Sequence, residues 1–355
     1  MMMIVKKMSL LLTIILLLSA CSSGRLYYAK GGVPRFWTWL DYKATVNYDS
    51  LLSLYAAHGV RGITLNAGGN MEVFRKVIPI ADKYHVKVFA WIFGTCQGAL
   101  AAQHPEWLDY NAQGKSLAQQ KAYVDFYKFI NPAIPGFREE LQKQVEAICQ
   151  IKGLKGISLD YTRYVDAILP EGIQPRYGIH QDKVYPEWDY GYHPVAIEKF
   201  KKQYGYDPRA EANPSQDSLW FQFRLRQVVE CVLPLVEIAH RHGKQITASP
   251  FPTPAMSRRM VMQDWDKWNL DFYQPMIYYG FYNEDYVWMG ACTKEDVAAV
   301  GPNKIISAIL VDDVTGSKTD PKKVIKTAMD NGSSGLAFFG RPTITFLEAI
   351  KTYKK

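Results

Sequence analysis

The feature that most constrains this chain is an eightfold alternation of short β-branched or aromatic runs with amphipathic stretches. The runs are Arg35–Trp39, Gly62–Asn66, Val86–Ile92, Gly156–Asp160, Gln245–Ser249, Phe272–Tyr278, Ile305–Leu310 and Gly335–Phe339. Runs of this length and composition read as strands buried on both faces. The stretches between them predict helices over Tyr48–His58, Met71–Tyr84, Pro135–Ile151, Leu219–His242, Met256–Trp268, Lys294–Val300, Pro321–Asn331 and Ile344–Tyr353. Several end in a C-capping pair, as in His58-Gly59, His242-Gly243 and Asn331-Gly332, where the residue past the last turn takes a positive φ. Eight βα units close most naturally into a (β/α)₈ barrel, which pairs every parallel strand and leaves no edge. The alternative, an open doubly wound sheet, lacks its usual glycine-rich phosphate loop after the first strand.

Ahead of the barrel, residues 1–20 have the pattern of a lipoprotein signal peptide. Lys6 and Lys7 precede the apolar run Leu10–Leu18, and Leu18-Ser19-Ala20-Cys21 follows, so Cys21 is the expected lipid-attachment residue. The apolar run is too short for a transmembrane span. Residues 21–33 then serve as anchor or linker and 34–355 as one barrel domain. The expected location is the bacterial cell envelope, with a membrane contact made through the lipid.

Composition agrees with a compact globule, since 48% of residues are hydrophobic and 21% charged. The net charge of +8 is spread along the chain without a basic run, so nucleic acid is not an expected partner. Cys96, Cys149, Cys231 and Cys292 are far apart, with neither disulfide-framework nor zinc-site spacing. The histidines form no metal motif, and no Gly-x-Ser-x-Gly elbow occurs, so no cofactor or metal is expected.

Two segments exceed the length of connectors: Gly94–Pro132 after the third strand, and Tyr161–Ser218 after the fourth, which contains a short helix over Val195–Tyr204. Both leave strand C-termini, where barrel proteins build their sites. The residues placed around that mouth are Trp39, Asp41, Asn66, Trp91, Asp160, Ser249, Gln274, Tyr278 and Phe339, with Tyr161, Arg163 and Tyr164 just beyond the fourth strand. Aromatic faces stack on the C–H faces of sugar rings, and Asn, Asp and Arg side chains bond hydroxyls, so the set suits a carbohydrate. Asp160 stands out because it ends the apolar run Ile157-Ser158-Leu159, where a charge costs desolvation unless it serves a ligand.

Glycoside hydrolysis needs two carboxyl groups. For the second, Asp312, in Asp312-Asp313 after the seventh strand, is the leading expectation, followed by Glu284 with Asp285. Arg163 is expected to orient Asp160 and lower its pKa. A barrel that binds glycans without cleaving them is the alternative reading.

The segment Gly156–Tyr164 resembles the "G-hydrophobic-D-aromatic-x-R-Y" stretch of the glycosyl hydrolase-like family 10 proteins. The likeness continues in order through Phe200–Pro208, Trp220–Val228, Ile246–Phe251, Gln263–Trp268 and Asp271–Tyr279, covering roughly Arg35 to Arg341. It implies a barrel and glycoside hydrolysis. Many relatives carry two adjacent acidic residues at the end of the fourth strand, whereas here the second position is Tyr161.

Overall fold

A computed structural model describes residues 27–353; the expected signal segment and Cys21 lie outside them. Eight parallel strands, β1 Phe36–Asp41, β2 Gly62–Asn66, β3 Lys87–Phe93, β4 Gly156–Asp160, β5 Gln245–Ala248, β6 Phe272–Tyr273, β7 Ser307–Leu310 and β8 Leu336–Phe339, alternate with helices. They are ordered β6-β5-β4-β3-β2-β1-β8-β7. The seam between β6 and β7 is closed by parallel bridges Tyr273↔Ile305 and Met276↔Ala308, which completes a single-domain (β/α)₈ barrel.

The period of two along each strand separates two apolar environments. Ile63, Leu65, Val88, Ala90, Ile157 and Leu159 face outward into the core shared with the helices. Trp37, Trp39, Phe89, Phe272, Ala308 and Ala337 fill the barrel interior. Trp37 and Phe89 meet edge to face at 4.9 Å between centroids. Their bulk is accommodated by glycine on the adjoining strand: a Cβ on Gly62 would lie 2.2 Å from the Trp37 ring, and one on Gly156 would lie 2.3 Å from Phe89. The same inward positions of β2, β4 and β5 carry Thr64, Ser158 and Thr247, whose buried hydroxyls make no hydrogen bond to the described residues.

The expected strands and helices are all present, three of them with an end displaced by more than two residues, and two short helices, Gly98–Gln103 and Val311–Gly316, were not expected. The sixth strand was expected to run to Tyr278 but is regular only over Phe272–Tyr273. Pro275 lacks an N–H for the ladder, although Gln274 and Met276 still donate to Ala248 and Pro250 as the chain passes the barrel rim. The helix expected over Met256–Trp268 stops at Val261, because Met262 enters the left-handed region (φ 52°) before a 3₁₀ turn at Trp265–Lys267. The helix expected to begin at Lys294 begins at Tyr286 instead. Asp285 starts it by accepting hydrogen bonds from the Val287 and Trp288 N–H groups.

The two long segments pack together over the C-terminal mouth. Antiparallel bridges Cys96↔Phe129 and Leu108↔Ile130 tie the first into a loop, and Asn111↔Tyr190 joins it to the second. Beneath that junction Arg224, on the long helix Ser218–Arg241, forms a fully buried ion pair with Asp189 and donates to the Tyr190 carbonyl. Both loops are therefore folded structures, fixed to the barrel wall. Among the described residues, no helix is long and apolar enough to cross a membrane.

Candidate active site

β4 delivers Asp160 to the mouth, and the turn that follows holds it. Tyr161 adopts a left-handed backbone (φ 47°), unfavourable for a non-glycine residue, and its N–H donates to Asp160 Oδ1 at 2.7 Å. From β3, Trp91 Nε1–H donates to Asp160 Oδ2 at 3.0 Å. Each carboxylate oxygen thus has one fixed donor, and the side chain is only 5% exposed. Burial outweighs these donors and pushes the Asp160 carboxyl up to about 6. A carboxyl in that range keeps a proton that it can donate at mildly acidic pH, where an ordinary aspartate is already ionised.

Arg163 bonds to groups other than Asp160, although its charge lowers the Asp160 pKa in the expected direction. Its guanidinium donates to Asp166 Oδ2 at 3.0 Å, the Tyr164 carbonyl at 2.8 Å and the Tyr127 hydroxyl at 3.1 Å. It lies about 5 Å over the rings of Phe129, Tyr161 and Phe251. Its ion pair is with Asp166, and its charge lowers Asp160 by less than burial raises it, so Asp160 titrates above the usual carboxylate range.

Asp160 opens into a cavity of about 400 Å³. Trp39, Trp91, Tyr278 and Phe339, all placed at the mouth from sequence, line it together with Asp41 and Tyr161. Phe339 stacks near-parallel to Tyr278 (15°) and meets Trp39 and Trp91 edge to face. Asp41, at the exposed end of β1, brings a second carboxyl to the same wall and accepts a hydrogen bond from Asn66 at 2.9 Å. Asn66 therefore acts behind Asp41 rather than on the cavity wall.

Other expected site residues are placed elsewhere. Asp312 is exposed on the short helix Val311–Gly316 and does not reach the cavity wall; its neighbour Asp313 turns inward, accepts from the Gly280 N–H at 3.1 Å and is pushed up to about 6 by burial. Glu284 is exposed in the turn before the Asp285-capped helix. Tyr164 is buried in the helix-side core, away from the mouth. Gln274 is fully buried and does not line the cavity; neither its side chain nor that of Ser249 hydrogen-bonds to the described residues.

Sequence reasoning missed Phe93, Phe126, Met276, Phe281 and Leu310 on the cavity wall. Phe93 and Leu310 were accessible from the period of two, each lying two residues beyond an inward-facing Trp91 or Ala308. Phe126 comes from a loop and carries no periodic signal. Among the described residues, no group of His, Cys, Asp and Glu is arranged to hold a metal ion.

No protein-family model matches the chain, and no curated protein matches it. Solved structures do. The chain is similar to the PgaB (BpsB) glycoside hydrolase domain from Bordetella bronchiseptica, with a TM-score of 0.62 at 13% identity over 86% of this chain and 93% of that one. A β-galactosidase from the psychrophilic Marinomonas ef1 gives a TM-score of 0.61 at 12% identity, covering 89% of this chain and 58% of that one. A class V chitinase from Pseudomonas fluorescens Pf-5 gives 0.51 at 10% identity, covering 89% and 98%. At these identities the likeness establishes the shared fold: the chain is a (β/α)₈ barrel of the architecture found in those carbohydrate-active proteins.

Proposed function

We propose that this chain is a glycoside hydrolase in which Asp160 is the general acid and Asp41 the second carboxyl. The observation that carries the proposal is Asp160 itself, a buried carboxyl held by two donors and kept partly protonated, facing an aromatic cavity. Asp160 would protonate the glycosidic oxygen as its bond to the anomeric carbon breaks, the bonding electrons passing to that oxygen. Asp41, exposed to solvent on the same wall, is suited to take the proton of an attacking water. Trp39, Trp91, Tyr278 and Phe339 would stack against the sugar. The resemblance of Gly156–Tyr164 to the glycosyl hydrolase-like family 10 motif, and the glycoside hydrolase neighbours of the fold, support the same reading. Cys21 would tether the mature chain to the envelope by lipid, and Cys21→Ser should abolish labelling of the chain with radioactive palmitate.

The test is turnover and affinity measured side by side on a panel of oligosaccharides for wild type, Asp160→Asn and Asp41→Asn. Removing the general acid should cost about a hundred- to ten-thousand-fold in kcat with binding retained. A glycan that binds to wild type without being cleaved, with the same affinity in both variants, would instead identify a non-catalytic glycan-binding barrel.

A further inference from the structure

A second cavity of about 240 Å³ adjoins the Asp160 cavity and shares with it the walls formed by Phe126, Tyr161, Met276, Tyr278 and Phe281. Its remaining lining differs in chemistry. Leu169, Pro170 and Ile173 from the segment after β4 form one side, and Tyr177, Phe251 and Tyr282 add aromatic faces. Among the described residues, the only charged side chains on its wall, Arg163 and Asp166, are bonded to each other and nearly fully buried. Arg163 also spends donors on the Tyr164 carbonyl and the Tyr127 hydroxyl.

A pyranose presents hydroxyls around its whole rim, and each loses water on entry and needs a partner. Here the groups best able to provide partners are already engaged, while aromatic rings surround the space. Such a wall suits a flat apolar group carrying one or two polar atoms, which the tyrosine hydroxyls can meet.

We infer that this annex is a binding site for an aromatic aglycone, so that the preferred substrates are aryl glycosides with the sugar in the Asp160 cavity and the aryl group in the annex. The inference rests on the proposed hydrolase reading for the position of the sugar, but the annex can be tested apart from it. Ile173, half-buried in the 3₁₀ turn Glu171–Tyr177, lines only the annex. Ile173→Trp would fill the space, and Ile173→Ala would leave it open.

The experiment is titration of the purified protein with free 4-methylumbelliferone by fluorescence, with thermal melts confirming that both variants fold. Wild type and Ile173→Ala should bind saturably, and Ile173→Trp should weaken binding about tenfold or more. No saturable binding by wild type, or equal binding by a folded Ile173→Trp, would overturn the annex. Saturable, Ile173→Trp-sensitive binding by a protein that cleaves no glycoside would uphold the annex and remove the hydrolase reading, so the two failures are distinguishable.

Discussion

At the scale of single residues, the chemistry depends on how Asp160 is held. Desolvation raises its pKa and the Trp91 indole N–H lowers it by bonding the ionised form. Trp91→Phe removes that donor while keeping an aromatic ring, so the carboxyl should titrate still higher. The alkaline limb of the pH–rate profile, expected near pH 6 in wild type because activity requires the protonated acid, should then move to higher pH. An unmoved limb would dissociate the indole from the acid. Asp160 was legible in the sequence because a carboxylate ending an apolar strand has no structural use. Its controlling environment was less so: Arg163 is close in sequence, yet the turn sends its guanidinium to Asp166, and only three-dimensional packing decides between the two carboxylates. The second carboxyl was obscured for a similar reason. Adjacent acids after β7 look like a site, but the helix Val311–Gly316 turns Asp312 to solvent, while Asp41, noted from sequence only as a contact residue, lies on the cavity wall.

At the scale of elements, long periodic segments were readable and their ends were not. All eight strands were anticipated because burial on both faces imposes continuous apolar runs, whereas β6 was overextended because Pro275 breaks its ladder without ending its extended course. Asp285 was considered as a catalytic acid, but it is the N-cap of the helix Tyr286–Val300. Asp285→Ala should accordingly destabilise the protein by about 1 kcal/mol, measured by urea denaturation, without altering the pH–rate profile. The buried Arg224–Asp189 pair beneath the two long loops has a larger role. Arg224→Ala leaves Asp189 charged and unpaired in the interior and should cost about 3–5 kcal/mol by the same measurement. A loss under about 1 kcal/mol would show that the loops are held by other contacts.

At the scale of the whole molecule, the barrel was legible because eight alternating units admit few closed arrangements, and inward glycines at Gly62 and Gly156 make room for the large rings of Trp37 and Phe89. The internal acids set a pH dependence of stability. Burial raises Asp160 and Asp313 to about 6 and Asp109 to about 7. A carboxyl whose folded pKa exceeds its unfolded value near 3.8 contributes stability that is complete below about pH 4 and is lost as the pH rises through the folded value. These three groups therefore favour the fold at acid pH and weaken it between about pH 4 and 7. Asp109→Asn should flatten that decline in Tm, and an unchanged slope would place Asp109 outside it. The measurement that bears most directly on Asp160 is the dependence of rate on the leaving group, using a series of alkyl and aryl glycosides of the sugar that wild type cleaves. If Asp160 donates the proton, Asp160→Asn should lose about a hundredfold or more on alkyl and weakly acidic phenol leaving groups, and far less on 2,4-dinitrophenyl, which departs without protonation. An equal loss across the series would contradict that role.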